Sequence, residues 1–238
     1  MDETMTGEQR AAAPASDLGL ADLFRPGPGP SSSHTVGPMR AGRHFAKTLL
    51  ESGIQPLELR VQLFGSLAAT GIGHGTNRAV VLGLMGAEPE HVSSEQIDAI
   101  LPALAENPVL TLLGGDSVPF SPSADIVFEP RTRLPYHANA LRIAATGTTP
   151  ASQKTHELAL TYYSMGGGFV SVQAEGGQPT PLDQPEGVQA PVPFVFCGAN
   201  DLLQLCADTE LSIAEIVKAN ELVLRSEDEL RGLVRDIT

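Results

Sequence analysis

The stretch LELRVQLFGSLAATGIGHGTN, residues 57–77, predicts a strand, then a glycine-rich loop, then the start of a helix. Apolar side chains alternate with polar ones, the pattern of a half-buried strand, at Leu57, Leu59, Val61 and Leu63. The strand is expected to end at Gly65, and the loop to enter a helix at about Arg78 to Leu84. This stretch therefore predicts a sheet with helices packed on it.

A second loop that leads into a helix lies upstream. Prolines alternate with other residues from Pro26 to Pro30, which forbids regular structure and predicts a rigid loop. The segment SSSHT, residues 31–35, then leads into a helix predicted from Val36 to a glycine stop at Gly53. Before the prolines, Ser16 or Asp17 caps a short predicted helix through Phe24, and residues 1–15 are expected to form a disordered arm.

Downstream segments predict more strands and few helices. Ser93 and Gln96 form a capping box for a helix to about Ala105. Strand-like runs follow at VLTLL (109–113), ADIVFEP (124–130), ALRIAAT (140–146), HELALTYYS (156–164) and GFVSVQ (168–173), with TGTTP (146–150) and GGG (166–168) expected as turns. The predicted fold class is α+β, with a mixed or antiparallel sheet and helices packed on it.

The end of the chain has a different pattern. Residues 16–173 form the predicted sheet domain, and residues 174–193, rich in Gly, Pro and Gln, are expected to form a linker or long loop. Residues 194–238 are expected to be helical, with capping boxes at Ser212 and Ser226. The last helix has no glycine stop, so we expect that the protein continues into a further domain.

Composition restricts the possible functions. Of the 238 residues 42% are hydrophobic and 18% charged, which supports a real core, and the formal charge of −13 disfavours nucleic acid or anionic lipid as a partner. No apolar run is long enough for a membrane span and no secretory signal is visible, so a cytoplasmic protein is expected. Cys197 and Cys206 are too few for a complete metal or iron–sulfur site, and no metal ligand is predicted in this chain.

Two loops carry the residues best suited to chemistry. The hydroxyls and backbone N–H groups of Ser31, Ser32 and Ser33 at a helix start could hold a carboxylate, although a simple N-cap explains the same pattern. His74 lies between two glycines, where it could act as a general base or be an ordinary exposed histidine. A serine hydrolase is disfavoured because no GxSxG elbow is present.

Four motifs in this order resemble the N-terminal β domain of the iron–sulfur-dependent bacterial L-serine dehydratases (L-serine ammonia-lyases). They are GPSSSHTVGPMRAG (29–42), FGSLAATGIGHGT (64–76), LPYHANAL (134–141) and YYSMGGGF (162–169). The chain departs from the family pattern at GPGP (27–30), Asn77 and Ala140. The likeness covers roughly Leu18 to the end of the sequence.

The resemblance implies an allosteric substrate-binding-like fold for this domain. It also implies a partner, a helical α domain that holds a 4Fe-4S cluster whose cysteines lie outside this chain. Together they would convert L-serine to pyruvate and ammonia by β-elimination, with the cluster as Lewis acid for the serine hydroxyl. An enzyme of this kind is expected to serve amino-acid catabolism and gluconeogenesis, as a cytoplasmic homo-oligomer.

The resemblance also assigns roles to residues. His74 matches the family histidine proposed to remove the Cα proton. The serine cluster, with His34, Thr35 and Asn139, would hold the substrate carboxylate and amino group. Two hypotheses stay open: the chain is a catalytic half that contributes His74, or it is a regulatory serine-binding module without a catalytic residue.

Overall fold

The computed structural model describes residues 19–20, 24, 27–182 and 192–237. The chain divides into two compact units: residues 25–183 form one, and residues 1–24 with 184–238 form the other. The predicted arm at residues 1–15, and almost all of the short helix predicted before Phe24, lie outside the described residues.

A six-stranded mixed sheet forms the centre of the larger unit, with the strand order β4-β1-β5-β6-β7-β8. Strand β4 runs parallel to β1, and every other neighbouring pair is antiparallel. The bounds are Gln55–Phe64 (β1), Ile126–Glu129 (β4), Asn139–Thr149 (β5), Ser152–Gly166 (β6), Phe169–Ala174 (β7) and Thr180–Pro181 (β8). Strands Val109–Thr111 (β2) and Ser117–Pro119 (β3) form a separate hairpin. The predicted α+β class with a mixed sheet is confirmed.

Helices accompany the sheet throughout this unit. A π-helical turn, Ser32–Val36, runs directly into helix α1, Gly37–Ser52. The others are Gly65–Ala69 (α2), Thr76–Leu84 (α3), Ser94–Glu106 (α4) and Pro122–Asp125 (α5), with a 3-10 turn at Pro89–His91. One continuous core joins α1 and α3 to the strands; its fully buried members include Phe45, Leu63, Val80, Ile143 and Tyr162.

Most local sequence signals match these elements. Gly53 ends α1 in the left-handed conformation, and both hydrogen bonds of the Ser93–Gln96 capping box are present. Leu59, Val61 and Leu63 are buried as the alternation predicts. The alternation is wrong at Leu57, which is 60% exposed, because the pairing of β1 with β5 shifts register between Pro56 and Glu58.

Four segment predictions need correction. Residues 146–149 of the predicted turn are instead part of β5, which pairs with β6 up to Thr149, and the turn itself lies at Pro150 and Ala151. The loop at 65–77 contains helix α2. Strand β4 begins only at Ile126, because Pro122 starts a helical turn before it. The predicted linker region contributes the short edge strand β8, and residues 183–191 lie outside the described residues.

The described part of the smaller unit contains three helices, which begin at Ala199, after the non-helical residues 192–198. Its helices are Ala199–Thr209 (α6), Ile213–Leu224 (α7) and Glu227–Ile237 (α8). The Ser212–Glu215 and Ser226–Glu229 capping boxes are both formed, with the serine hydroxyl accepting from the glutamate N–H and the carboxylate from the serine N–H. Among the described residues, none of the helices combines the length and the apolar character that crossing a membrane requires.

Glycine allows α1 and α3 to touch backbone to backbone. A Cβ placed on Gly83 would collide with the carbonyl oxygen of Met39. Gly83→Ala is therefore expected to lower the free energy of unfolding by about 1–3 kcal/mol, although alanine favours helices over glycine by about 1 kcal/mol. Thermal unfolding should show the loss, and Gly232→Ala in α8, where a Cβ meets nothing within 4 Å, should not lower stability.

Candidate functional site

The serine loop begins the first long helix. Ser31 is the N-cap of the π-helical turn Ser32–Val36 that runs into α1, since the Ser31 hydroxyl accepts a hydrogen bond from the His34 N–H at 3.3 Å. Its carbonyl accepts from the Thr35 N–H at 2.9 Å. The first N–H groups of a helix have no partner inside it, and in the described part of the chain no backbone hydrogen bond uses the N–H groups of Ser32 and Ser33, so both can bind another acceptor. The N-cap role and an anion-binding role are thus compatible in this loop.

His34 lies between two serine hydroxyls. Its Nδ1 is 2.9 Å from Ser33 Oγ, and its Nε2 is 3.1 Å from Ser66 Oγ. Ser66 is held in place from outside its own helix, because its N–H donates to the carbonyl of Ala138 at 3.1 Å. Both ring nitrogens of His34 are therefore engaged, and the imidazole is fixed in orientation.

His74 lies in the glycine loop just before α3. Its Nδ1 is 2.9 Å from the carbonyl oxygen of Thr70, and because a carbonyl only accepts, Nδ1 must carry the proton. In the neutral ring Nε2 then has a free lone pair, as a general base requires. Gly75 caps α3 with φ of 68°, a left-handed conformation that turns the chain into the helix directly after His74.

The two histidines face each other. Their ring centroids are 4.9 Å apart and the ring planes are inclined by 38°. Burial, and secondarily the nearby charge of His74, lower the pKa of His34, with a hydrogen bond from His34 to Ser66 acting in the opposite direction. His34 is thus held neutral near neutral pH, and the pair disfavours carrying two protons at once.

Two buried threonines join the loops on which these histidines lie. The Thr35 hydroxyl donates to the carbonyl oxygen of His74 at 2.9 Å. The Thr76 hydroxyl donates to the carbonyl oxygen of His34 at 2.7 Å. The exposed fractions of Thr35 and Thr76 are 1% and 0%. Thr35, expected to contact substrate, therefore has its side chain buried and its hydroxyl proton already used.

Asn139 lies beside this group of residues. It faces Gly65 in an isolated bridge, directly after the Ala138 carbonyl that binds Ser66. Its side-chain amide donates to the carbonyl of Ser164 at 3.4 Å. Within the part of the chain that the structure describes, no hydrogen bond joins the Asn139 side chain to His34 or His74.

The three-glycine segment forms the predicted turn. Gly166, Gly167 and Gly168 have φ values of 101°, 60° and 80°, so all three adopt the conformation that favours glycine. The turn is tied to the serine-loop helix, because Arg40 Nη1 donates to the Gly168 carbonyl at 2.6 Å. The structure thus connects all four motifs around one region of the larger unit.

Sequence reasoning missed three residues of this region: Ser66, Thr70 and Thr76. All three lie in the quoted stretch 57–77, so the residues were in view. The roles of Ser66 and Thr76 depend on bonds to His34 across two loops that are 32 and 42 residues apart, and no local spacing signals such contacts. Thr70 binds His74 within one loop, four residues away, through its backbone carbonyl, a group that every residue has. In the sequence, the one signal for Ser66 is its position directly after the predicted strand that ends at Gly65.

The described residues do not form a metal site of their own. Among them, no three His, Cys, Asp or Glu side chains are grouped so that they could hold a metal ion. Cys197 is exposed and Cys206 is partly buried, and they are nine residues apart near the end of the chain. The residues present therefore do not fit a 4Fe-4S cluster, which needs about four ligands.

Comparison with known proteins is consistent with the motifs. The chain is 41% identical over 217 residues to the L-serine dehydratase of Streptomyces coelicolor, a match that covers 90% of this chain and 46% of the relative. It is 39% identical over 217 residues to that of Mycobacterium tuberculosis, covering 90% and 45%. The L-serine dehydratase TdcG of Escherichia coli is 38% identical over 212 residues, covering 88% and 44%.

The chain therefore spans just under half the length of the curated relatives it matches. Residues 19–175 match the family described as serine dehydratase beta chain, and this range contains all four motifs and both histidines. The chain belongs to the serine dehydratase beta chain family.

Proposed function

We propose that this chain is the β-domain portion of an L-serine dehydratase, the part that holds L-serine and removes its Cα proton. The observation that carries the proposal is the state of His74. Its Nδ1 must donate to the Thr70 carbonyl, so the neutral ring presents Nε2 as a proton acceptor. A half-buried imidazole with a free ring nitrogen is well suited to general-base catalysis.

The proposed chemistry of this chain is a proton transfer. His74 Nε2 takes the proton from Cα of L-serine while the Cβ–O bond breaks and the hydroxyl leaves as hydroxide, which becomes water when it takes up a proton. The product is aminoacrylate, which hydrolyses to pyruvate and ammonia. The neighbouring ring of His34 stays neutral, because burial and the charge of His74 lower its pKa. Only one positive charge therefore develops in the pair as His74 accepts the proton.

The serine loop is proposed to hold the substrate carboxylate. Free N–H groups and the helix dipole favour an anion at the start of α1, and the hydroxyls of Ser31 to Ser33 add further donors. His34 is proposed to fix the hydroxyl of Ser33, to which its Nδ1 is bonded. Asn139 is proposed to reach the substrate amino group from the start of β5, opposite Gly65.

The partner is proposed to be a cluster-bearing α domain of the same enzyme. Because the described residues do not fit a 4Fe-4S cluster, we assign the cluster to that domain and only binding and proton transfer to this chain. We further propose a cytoplasmic homo-oligomer that acts in amino-acid catabolism and feeds pyruvate to gluconeogenesis. The formal charge of −13 supports the absence of nucleic acid among its partners.

The isolated chain is expected to be colourless and inactive. It contains only two cysteines, so anaerobic reconstitution with iron and sulfide should give no stable cluster absorption. The same assay with L-serine should yield no pyruvate from the chain alone, and pyruvate from the complete enzyme. A four-iron chromophore or pyruvate formation in the isolated chain would show that the cluster is wrongly assigned to the α domain.

A regulatory serine-binding module is the competing hypothesis. It predicts that the chain binds L-serine and that His74 is dispensable for turnover in the complete enzyme. The geometry of His74 does not favour a regulatory role, because a purely regulatory site does not require a histidine with a free lone pair on Nε2. The His74 variant described in the Discussion separates the two hypotheses.

A further inference from the structure

The strongest unassigned feature is a pair of reciprocal hydrogen bonds between the two histidine loops. Thr35 follows His34 in sequence, yet its hydroxyl binds the carbonyl of His74. Thr76 follows His74 by two residues, yet its hydroxyl binds the carbonyl of His34. Each loop thus supplies one threonine donor to the backbone of the other loop's histidine.

We propose that Thr35 and Thr76 are positioning residues that hold the His34 and His74 rings in the relative position that proton transfer requires. The proposal rests on the proposed function of His74 and adds to it. Each bond fixes the backbone at the histidine itself, so the threonine bonds help to set the separation of the two ring centroids, which is 4.9 Å. Neither threonine needs to touch substrate to do this.

Because both threonines are buried, the loss of either hydrogen bond is expected to change the separation of the two histidine loops. Both threonines are almost fully excluded from solvent, so water cannot readily replace a lost hydroxyl. Removing the hydroxyl leaves a carbonyl oxygen without its donor, and the loops should separate until that oxygen reaches water. A shift of about 1 Å at a reacting group can cost about 100-fold in rate, so a small separation is enough to matter.

The same geometry gives Thr35 a different role from its neighbours in the serine loop. Ser32 is exposed and Ser33 partly exposed, whereas the Thr35 side chain faces inward. Its only hydroxyl proton is donated to the His74 carbonyl, so it cannot also be donated to a substrate carboxylate. Substitution of Thr35 should consequently affect turnover more than substrate binding.

The test compares threonine-to-valine variants, which keep the side-chain volume and lose the hydroxyl. Thr35→Val and Thr76→Val are made singly in this chain and in the complete enzyme, with Thr35→Ser and Thr76→Ser as rescue variants that keep the donor. Thr48→Val is the matched control, because the Thr48 hydroxyl also donates to a histidine carbonyl, that of His44 at 2.9 Å, but within one helix.

Two measurements are made on each variant. Proton NMR titration of the histidine ring signals in this chain follows His34, whose pKa is lowered by burial and by the nearby charge of His74. Steady-state kinetics of the complete enzyme gives kcat and KM separately. Thermal unfolding of every variant confirms that the titration is recorded on folded protein.

Both valine variants are expected to raise the pKa of His34 toward its ordinary value of 6.5 and to lower kcat by about 10- to 100-fold, with a much smaller change in KM. The serine variants and Thr48→Val should behave like the parent chain. A His34 titration that is unchanged in both folded valine variants overturns the proposal. A shifted titration with full turnover supports the positioning of the rings and counts instead against the proposed role of His74.

Discussion

Replacing His74 by alanine in the complete enzyme is expected to lower kcat by about 10²- to 10⁴-fold. The loss follows because the only ring nitrogen of His74 with a free lone pair, Nε2, is the proposed acceptor of the Cα proton. KM should change little, since the base acts in the transition state and does not hold the ground-state substrate. Steady-state pyruvate formation from L-serine measures both constants.

The control for this prediction is His91→Ala. His91 is exposed, its Nδ1 is bonded to Glu88 at 3.0 Å, and no hydrogen bond between described residues joins its side chain to either histidine loop, so its loss should leave kcat unchanged. Cluster absorption should be the same in both variants and in the parent enzyme. Full turnover by the His74 variant would remove His74 from the mechanism and favour the regulatory hypothesis. Bleached absorption would show instead that the loop supports packing against the cluster domain.

The pKa of His34, followed by proton NMR titration, offers an independent check on the pair. His34 has a lowered pKa because it is partly buried and faces His74. In the His74→Ala variant the nearby charge is absent, so the pKa of His34 should move up toward 6.5 although the ring remains partly buried. This outcome connects the loss of kcat to the geometry of the pair rather than to general damage.

Sequence reasoning succeeded where a structural signal is local. The helix stop at Gly53 and the capping boxes at Ser93 and Ser212 depend on residues one to four positions apart, and all three are present in the structure. The three-glycine turn depends on the conformational freedom of adjacent residues. The predicted burial of Leu57 was wrong because the register shift beside this residue depends on the partner strand. The alternation of β1 alone cannot reveal that shift.

The site could be predicted only in part, for a related reason. Each of the two loops precedes a helix, and this much is visible in the sequence. That the loops meet depends on the close crossing of α1 and α3, which is possible because Gly42 and Gly83 lack side chains at the contact. The bonds from Thr35 and Thr76, and the Ser66 contact to His34, are consequences of that packing. The residue types indicated both histidines as candidate site residues, but only the tertiary packing brings the two rings together.

Replacing Ser31, Ser32 and Ser33 together by alanine is expected to raise the KM for L-serine at least about tenfold and to lower kcat much less. A hydrogen bond to a charged group contributes about 1.5–3 kcal/mol, and the substrate carboxylate is charged in both the ground and transition states. Water entering the site recovers part of this energy, which is why the lower bound is about tenfold, or 1.4 kcal/mol.

The triple variant also loses the N-cap, because Ser31 accepts from the His34 N–H, and this should cost about 0.5–2 kcal/mol of folding stability. Ser31→Ala alone should reproduce most of the stability loss with a smaller rise in KM, while Ser32→Ala, at an exposed position, should leave stability intact. Ser121→Ala with Ser123→Ala, which removes another hydroxyl pair separated by 3.1 Å, is the matched control and should leave KM unchanged. Thermal melting and KM are measured on the same preparations. An unaltered KM in the triple variant would show that these serines only cap the helix and do not bind substrate. A carboxylate site at the start of α1 cannot lose three hydroxyl donors without a loss of affinity for the carboxylate.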